Sequence, residues 1–383
     1  MTQNKTIMMV AGEVSGDMHA ARVIQVLRAK NKKLRVFGMG GPQMAAAGMD
    51  VREDLTRQAI MGFFEVLKKY PVIRKRFKQC EQWLQKEKPD LLVLVDYPGF
   101  NLRLAQTAHR LGIPVCYYIA PKVWAWNEGR VKILKKVIRK LLVIFPFETA
   151  YFRRHGVGSV YVGNPLMDEM DLGPVKKKET LRALGIELSR FPIVCVMPGS
   201  RKGEIERIWP LYLKAARRLL KTCRDAAFVV PKSNGMEQED FPGITADDPF
   251  FFVDGPAYEV RKACDLAWVK SGTGTLETAL LGTPMIVVYR MAPVMAFLAL
   301  KLIRLKDVSL VNLLARRTLA PELLQEQANP KRLVAETLQI LDKPRVRESQ
   351  LKGFEKIRKD LAIKVKASEK AAGEILKLLG KSR

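Results

Sequence analysis

Short runs of uninterrupted apolar residues alternate along this chain with longer stretches in which apolar positions recur at helical spacing. Residues 7–12 (IMMVAG), 34–41 (LRVFGMGG), 91–98 (LLVLVDYP), 115–121 (VCYYIAP) and 141–145 (LLVIF) predict strands. Helices are expected over Asp17–Lys30, 62–86, 101–111 and 129–139. A strand apolar at every position has both faces covered, which predicts a parallel sheet between layers of helices. The polar segment 164–190, with the charge run Lys176–Glu179, reads as an interdomain linker and a first helix. The pattern then restarts with strands at 191–200, 226–233, 251–255, 265–273 and 283–290, and closes on charged amphipathic helices over about 331–380. The fold class is therefore α/β: two successive doubly wound units, with no internal repeat.

Composition adds limits. A length of 383 residues suits two domains, each able to bury a core. The five cysteines (Cys80, Cys116, Cys195, Cys223, Cys264) show no CxxC spacing, and with only three histidines no zinc constellation can be assembled. The apolar run near the N-terminus is too short for a secretory signal, and no stretch reaches the 18 or so apolar residues of a spanning helix. The protein is expected in the cytoplasm or on a membrane face open to it. The charge is unusual: 66 Lys and Arg against 39 acids, a formal net charge of +27 shared by both halves. Such an excess implies a polyanionic partner, whether nucleic acid, an anionic membrane or phosphorylated substrates. No nucleic-acid-binding module is readable and the charge is diffuse, so nucleic acid is excluded as the expected partner.

Ligands of doubly wound sheets bind where strands run out into helices. The first exit, Ala11–Asp17, has two glycines for close backbone approach and offers Glu13 and Ser15 as polar contacts; its spacing fits neither a dinucleotide fingerprint nor a P-loop. The exit at Gly38–Pro42 is similar. In the third, Asp96 follows LLVLV and precedes Pro98-Gly99. A carboxylate there, among apolar neighbours that raise its pKa, suits a general base; the bland alternative is a helix cap, a role for which Asn101 competes. In the second half, Pro198-Gly199-Ser200-Arg201 resembles an anion cradle, with backbone N–H groups and a helix start facing a phosphate and Arg201 as a bidentate clamp. Ser271, Gly272, Thr273, Gly274 and Thr275 form a second such start, with Glu277 one turn later placed to accept ribose hydroxyls. No acidic pair stands at a strand end, so no metal or other cofactor is expected and phosphate charge falls to Arg201, backbone amides and helix dipoles.

Residues 60–78 interleave Phe63, Phe64, Val66, Leu67 and Ile73 with Lys68, Lys69, Arg74, Lys75, Arg76 and Lys78. This suits an interfacial element, aromatics entering the acyl boundary while cations meet anionic headgroups. The alternative is a core helix with a basic outer face. Residues 291–306 have the same character, and the basic stretch 129–140 adds to it.

The motifs AGEVSGD, GMGGPQMAAAGM, VDYPGFN, YYIAPKVWAW, PFE, VGNPL, MPGSR, SGTGTLE and VSLVNLLA, collinear from about residue 7 to 375, together resemble the lipid-A-disaccharide synthase family. The resemblance implies the GT-B fold, two facing Rossmann-like domains. It places an acceptor- and membrane-associating domain at 1–168, a UDP-sugar-binding domain at 169–345, and C-terminal helices at 346–383 that pack back on the first domain or exchange onto a second copy in a homodimer. It implies a UDP-2,3-diacylglucosamine donor, a 2,3-diacylglucosamine 1-phosphate (lipid X) acceptor, and inversion to a β-1′,6-linked disaccharide 1-phosphate plus UDP. The reaction would run without metal on the cytoplasmic face of the inner membrane, whose anionic surface is itself a partner. Residue by residue, Asp96 matches the family's proposed general base, Arg201 and Glu277 match positions associated with UDP, and Glu13, Ser15 and Asn312 match polar positions of the active cleft. One departure is His19-Ala20, where the resemblance leads one to expect a Gly in some relatives. A different activity on the same fold, such as a UDP-N-acetylglucosamine epimerase or a transferase with a water-soluble acceptor, would not need the aromatic-basic stretch at 60–78.

Overall fold

The computed structural model describes residues 5–54, 70–125, 128–233, 235–291 and 307–380. Phe63, Phe64, Val66 and Leu67, and nearly all of 291–306, lie outside them. The chain divides into two compact units, Met1–Glu169 with Leu361–Arg383, and Met170–Asp360.

The first unit is built on a parallel seven-stranded sheet in the order β3-β2-β1-β4-β5-β6-β7. The strands are β1 (Thr6–Ala11), β2 (Arg35–Gly40), β3 (Asp50–Asp54), β4 (Leu91–Val95), β5 (Val115–Tyr118), β6 (Lys140–Val143) and β7 (Ser159–Tyr161). Between them run α1 (Val14–Lys30), α2 (Pro42–Ala46), α3 (Tyr70–Glu87), α4 (Pro98–Arg110), α5 (Arg130–Val137) and α6 (Pro146–Arg154), with α7 (Leu166–Glu169) following β7. The alternation of strand side chains sorts the core into two layers. Ile7, Met9, Leu91, Val93 and Val95 pack on one face, and Met8, Val10, Leu92 and Leu94 on the other.

The second unit repeats the plan with a parallel six-stranded sheet in the order β10-β9-β8-β11-β12-β13. Its strands are β8 (Ile193–Met197), β9 (Ala227–Lys232), β10 (Phe250–Asp254), β11 (Leu266–Lys270), β12 (Met285–Tyr289) and β13 (Glu322–Leu324). Its helices are α8 (Lys177–Ala183), α9 (Lys202–Leu220), α10 (Tyr258–Ala263), α11 (Thr273–Leu281), α12 (Leu310–Ala315), α13 (Pro330–Asp342) and α14 (Pro344–Leu361). α9 buries Ile205, Ile208, Trp209, Tyr212, Ala216 and Leu219, a stripe at three- and four-residue spacing, against Val194, Val196 and Trp268. The buried Trp268 indole N–H donates to Thr337 Oγ1 on α13 at 2.9 Å, so this large ring enters the core without leaving a polar atom unpaired.

The last helix, α15 (Ala367–Gly380), belongs to the first unit. Its Ala371, Ala372, Ile375 and Leu379 lie in one cluster with Ala20, Val23, Ile24 and Leu27 of α1, the alanines letting the two helices approach closely. Asp168 ties its start: the carboxylate accepts the N–H groups of Ala367 and Ser368, both at 2.9 Å, and the Ser368 hydroxyl at 2.8 Å. The C-terminal region thus divides at Leu361, not at residue 346. α14 stays with the second unit because Gln350 exchanges hydrogen bonds with the Met285 backbone at 2.9 and 3.3 Å and Phe354 is buried.

Candidate functional site

In the first unit the exits of β1, β2, β4 and β5 carry the candidate residues. The β1 exit enters α1 with Glu13 at the cap and Ser15 in the first turn, both half-buried. Asp17 is 2% exposed and accepts the N–H groups of Gly41, Gln43 and Met44 at 2.8–3.0 Å. Its carboxylate caps α2 and fixes the β2 exit, while its N–H donates to Glu13 O at 2.9 Å in the first turn of α1, which begins three residues earlier than the sequence suggests.

Asp96 lies at the β4 exit in an unusual backbone setting. Asp96 and Tyr97 are both left-handed, with φ of 46° and 48°. Such a conformation costs a non-glycine residue about 1–3 kcal/mol and persists only where the surroundings impose it. Here the Asp96 N–H donates to Tyr118 O at 3.0 Å, and the Asp96 carbonyl accepts Asn101 Nδ2 at 2.8 Å and the Tyr117 hydroxyl at 2.5 Å. Asn101 Nδ2 also reaches Val95 O at 3.2 Å. Asn101 is therefore no helix cap: it is a fully buried clamp inside α4, whose cap position is Tyr97 and whose first residue is Pro98. Each buried Leu or Val of β4 contributes about 1.5–3 kcal/mol, enough to hold the turn in place. Burial pushes the Asp96 carboxyl above its usual range, against the opposing pull of Lys122, the Tyr97 N–H and His19. A partly desolvated carboxylate faced by two basic side chains is suited to accept a proton.

The sequence reading missed Lys122 and His19. Lys122 is exposed on the β5 exit. His19 Nδ1 stands 2.6 Å from Glu169 Oε1, both side chains nearly buried. The β5 exit is anchored by Glu148, 1% exposed, which accepts Trp124 Nε1 at 3.0 Å and the N–H groups of Ile144 and Phe145 at 3.1 and 3.0 Å. Burial raises the Glu148 carboxyl to about 7. The unfolded carboxyl titrates at about 4.3, so between these values the folded state binds the extra proton. The stability this confers is complete below the unfolded value and is lost as pH rises through the folded one, by about 4 kcal/mol in all. Urea midpoints should fall between pH 5 and pH 8 in the native chain, with that component absent from Glu148→Gln; equal slopes in the two proteins would refute the assignment.

In the second unit the exits of β8 and β11 lie side by side on paired strands. Gly199 has φ of 137°, and a Cβ there would stand 2.5 Å from the Glu204 carboxylate. Glu204, in the first turn of α9, folds back over this exit. Ser200 N–H donates to it at 3.1 Å, Arg201 Nη1 lies 3.5 Å away, and Lys270 Nζ donates at 2.7 Å. Its carboxyl is lowered despite burial, Lys270 being the principal cause of the lowering. The donors expected to clamp a phosphate at Pro198–Arg201 thus stand beside an anion of the chain's own, the Glu204 carboxylate. Lys270, absent from that reading, is its closest cation. At the β11 exit Ser271 and Thr275 are buried and Thr273 is exposed. Thr275 Oγ1 donates to Gly272 O at 2.8 Å, closing the turn before α11, and Gly274 carries no Cβ to meet Met197 Cε, which would lie at 3.2 Å. Glu277, half-buried, pairs through Oε2 with Arg261 Nη1 at 2.8 Å.

Asn312 is a correction. It is fully buried: Nδ2 donates to Ala320 O and Glu322 Oε1 at 2.8 and 2.7 Å, and Oδ1 accepts Leu319 and Ala320 N–H at 2.8 and 2.9 Å. With its amide engaged inside the second unit, it braces a turn and presents nothing to a ligand. The basic stretch also divides. Ile73 and Phe77 pack against the first unit's core, and Phe77 meets Phe100 edge-on at 5.4 Å. Arg76 is 8% exposed and pairs with Glu53 at 3.0 Å, so it is a structural cation, not a headgroup contact. On α5 the buried Val131, Leu134 and Val137 leave Lys132, Lys135 and Lys136 exposed. Among the described residues no group of three metal-ligating side chains stands together, and no helix is long and apolar enough to cross a membrane.

Solved structures share this two-sheet plan. A UDP-GlcNAc 2-epimerase from Neisseria meningitidis bound to UDP-GlcNAc superposes with a TM-score of 0.63 at 14% identity, over 98% of this chain and 99% of that one. The glycotransferase of kitacinnamycin gives 0.59 at 16% identity, over 99% and 100%. The fold is GT-B, and the chain is a glycosyltransferase of that class. Residues 7–376 match the family model described as Lipid-A-disaccharide synthetase. Proteins named lipid-A-disaccharide synthase from Geobacter metallireducens and Syntrophus aciditrophicus are 37% and 38% identical to it, each over 99% of both chains. The chain belongs to the lipid-A-disaccharide synthase family.

Proposed function

We propose that the protein transfers the sugar of UDP-2,3-diacylglucosamine to 2,3-diacylglucosamine 1-phosphate, giving the β-1′,6-linked disaccharide 1-phosphate and UDP. The acceptor's 6-hydroxyl oxygen attacks the donor's anomeric carbon and its proton passes to the Asp96 carboxylate. The bond from that carbon to the diphosphate oxygen breaks, and UDP leaves with the electron pair from the opposite face. The observation that carries the reading is Asp96 itself, a desolvated carboxylate held on a left-handed turn by Asn101 and Tyr117 and faced by Lys122 and His19. Family membership supports the substrates.

The second unit takes UDP. The diphosphate draws on Ser200 N–H, Arg201 and Lys270, so Glu204 has to yield these donors as it enters. Ribose hydroxyls fall to Glu277. No metal is required, since cations and backbone amides carry the leaving-group charge. The enzyme works as a peripheral protein on the cytoplasmic face of the inner membrane, a reading supported by acylated substrates, the net charge of +27 and the exposed lysines of α5.

The test is mass spectrometry of products formed from the two acylated substrates with a chelator present. The disaccharide 1-phosphate and UDP are expected in equal amounts, at a rate the chelator does not change. Epimerised or hydrolysed donor with no acceptor consumed would overturn the assignment, and a chelator-sensitive rate would overturn metal independence.

A further inference from the structure

Arg261, on α10, is 2% exposed and lies beneath the first turns of α11. Its Nη1 donates to Glu277 Oε2 at 2.8 Å and its Nη2 to Thr278 Oγ1 at 3.0 Å. Longer contacts reach Gly274 O at 3.5 Å and Pro256 O at 3.4 Å, and the Tyr258 ring lies 5.4 Å from the guanidinium. The helix carrying it is pinned in turn, since Thr283 Oγ1 donates to Arg261 O at 3.0 Å. Among the described residues, Nε is buried without a hydrogen-bond partner.

Burying a guanidinium is costly unless a carboxylate answers it, and an apolar side chain of similar volume would often serve stability as well. A core filler would therefore not need this charge, which directs attention to what it holds. Glu277 is only partly exposed, and one of its two oxygens is fixed by Arg261. Among the described residues its other oxygen, Oε1, has no hydrogen bond. The guanidinium thus fixes one carboxylate oxygen and leaves the other as an acceptor for an incoming hydroxyl. It also offsets a negative charge that would otherwise stand near the α11 N-terminus and repel a diphosphate. A planar guanidinium that donates to Glu277 and Thr278 at once makes Arg suited to both tasks, where Lys supplies only the charge.

We propose that Arg261 is a positioning residue for nucleotide recognition. It orients Glu277 toward the ribose hydroxyls, so that selection of a ribonucleotide over a 2′-deoxyribonucleotide depends on a buried side chain that touches neither. The proposal rests on the reading of Glu277 as the ribose acceptor.

Equilibrium binding of UDP and of 2′-deoxy-UDP to the full chain tests it, using Arg261→Met and Arg261→Lys. A hydrogen bond to a charged acceptor corresponds to a preference of about tenfold to hundredfold for UDP in the unaltered protein. Arg261→Met should bring the ratio to within about threefold of unity, mainly by weakening UDP, and Arg261→Lys should restore part of it. In turnover, the donor KM should rise while kcat stays within about threefold. If Arg261→Met folds and keeps the native ratio, or loses affinity for both nucleotides equally, Arg261 is structural and the proposal fails. If that variant does not fold, Arg261→Lys decides the matter: a reduced ratio supports the proposal and an unchanged one overturns it. Equal affinities in the unaltered protein would overturn the reading of Glu277 and this proposal with it, whereas no binding of UDP would refute the nucleotide site altogether.

Discussion

Asp96→Asn lowers kcat by about 10²–10⁴-fold, the range a positioned general base supplies, while the Kd for UDP stays within about twofold of the native value. Asn keeps the size and polarity of the side chain but cannot accept the acceptor's hydroxyl proton. The backbone that shapes the site is held through the Asp96 carbonyl and N–H, which the substitution leaves in place. Steady-state turnover and calorimetric titration with UDP measure the two quantities. The native enzyme's pH profile supplies a second check. Because burial raises the Asp96 carboxyl, activity should be lost as pH falls through a value above the ordinary aspartate range. That acid limb belongs to Asp96 only if the residual activity of the Asn variant lacks it. A kcat within about threefold of native would remove Asp96 from the chemistry.

Gly12→Ala should cost about a hundredfold in kcat, although residue 12 takes no part in the chemistry. A Cβ at Gly12 would stand 2.3 Å from Tyr97 Cδ1, 2.5 Å from Cγ and 2.8 Å from Cε1. These are atoms of a rigid ring stacked on Phe100 at 5.7 Å, so the ring cannot simply turn aside. The displacement passes to Tyr97's backbone, the second half of the left-handed pair, and so to Asp96. A misplacement of about 1 Å at a reacting group is worth about 10²-fold. Overpacking should also lower stability by about 1–3 kcal/mol, read from urea unfolding. Native kcat with reduced stability would show that the turn absorbs the strain without moving the carboxylate. The glycine of the first exit is thus required by a neighbouring ring, where its sequence suggested room for a ligand.

The central strands were legible because their physics is local. Leu91–Val95 and Ile193–Val196 are apolar at every position, and every one of these residues is buried in the sheet. The outer strands were not. Asp50–Asp54 reads as a charged segment, and Ser159–Tyr161 and Glu322–Leu324 have three residues each, too few for a pattern. Lying at sheet edges, they bury little and carry little apolar signal. The site divides in the same way. Asp96 was visible because a lone carboxylate ends a buried strand. Lys270 was invisible because its meaning lies in a carboxylate 66 positions away, and Arg261 because a cation between Val260 and Lys262 looks like part of a solvated face. Asn312 erred in the other direction. A polar residue in a matching motif suggested a ligand contact, and only the geometry reveals an amide occupied with its own turn.

The tie between Asp168 and the start of α15 has a consequence for the order in which the chain matures. Its partners are separated by 199 and 200 positions, and the whole second unit is synthesised between them. On the ribosome the seven strands of the first sheet emerge early, yet the apolar side of α1 waits for a helix that leaves the exit tunnel only after the second unit. The second unit, contiguous in sequence, can complete its core beforehand. The first unit therefore completes its core only after the second has been made, and during that interval Ala20, Val23, Ile24 and Leu27 lack the helix that covers them.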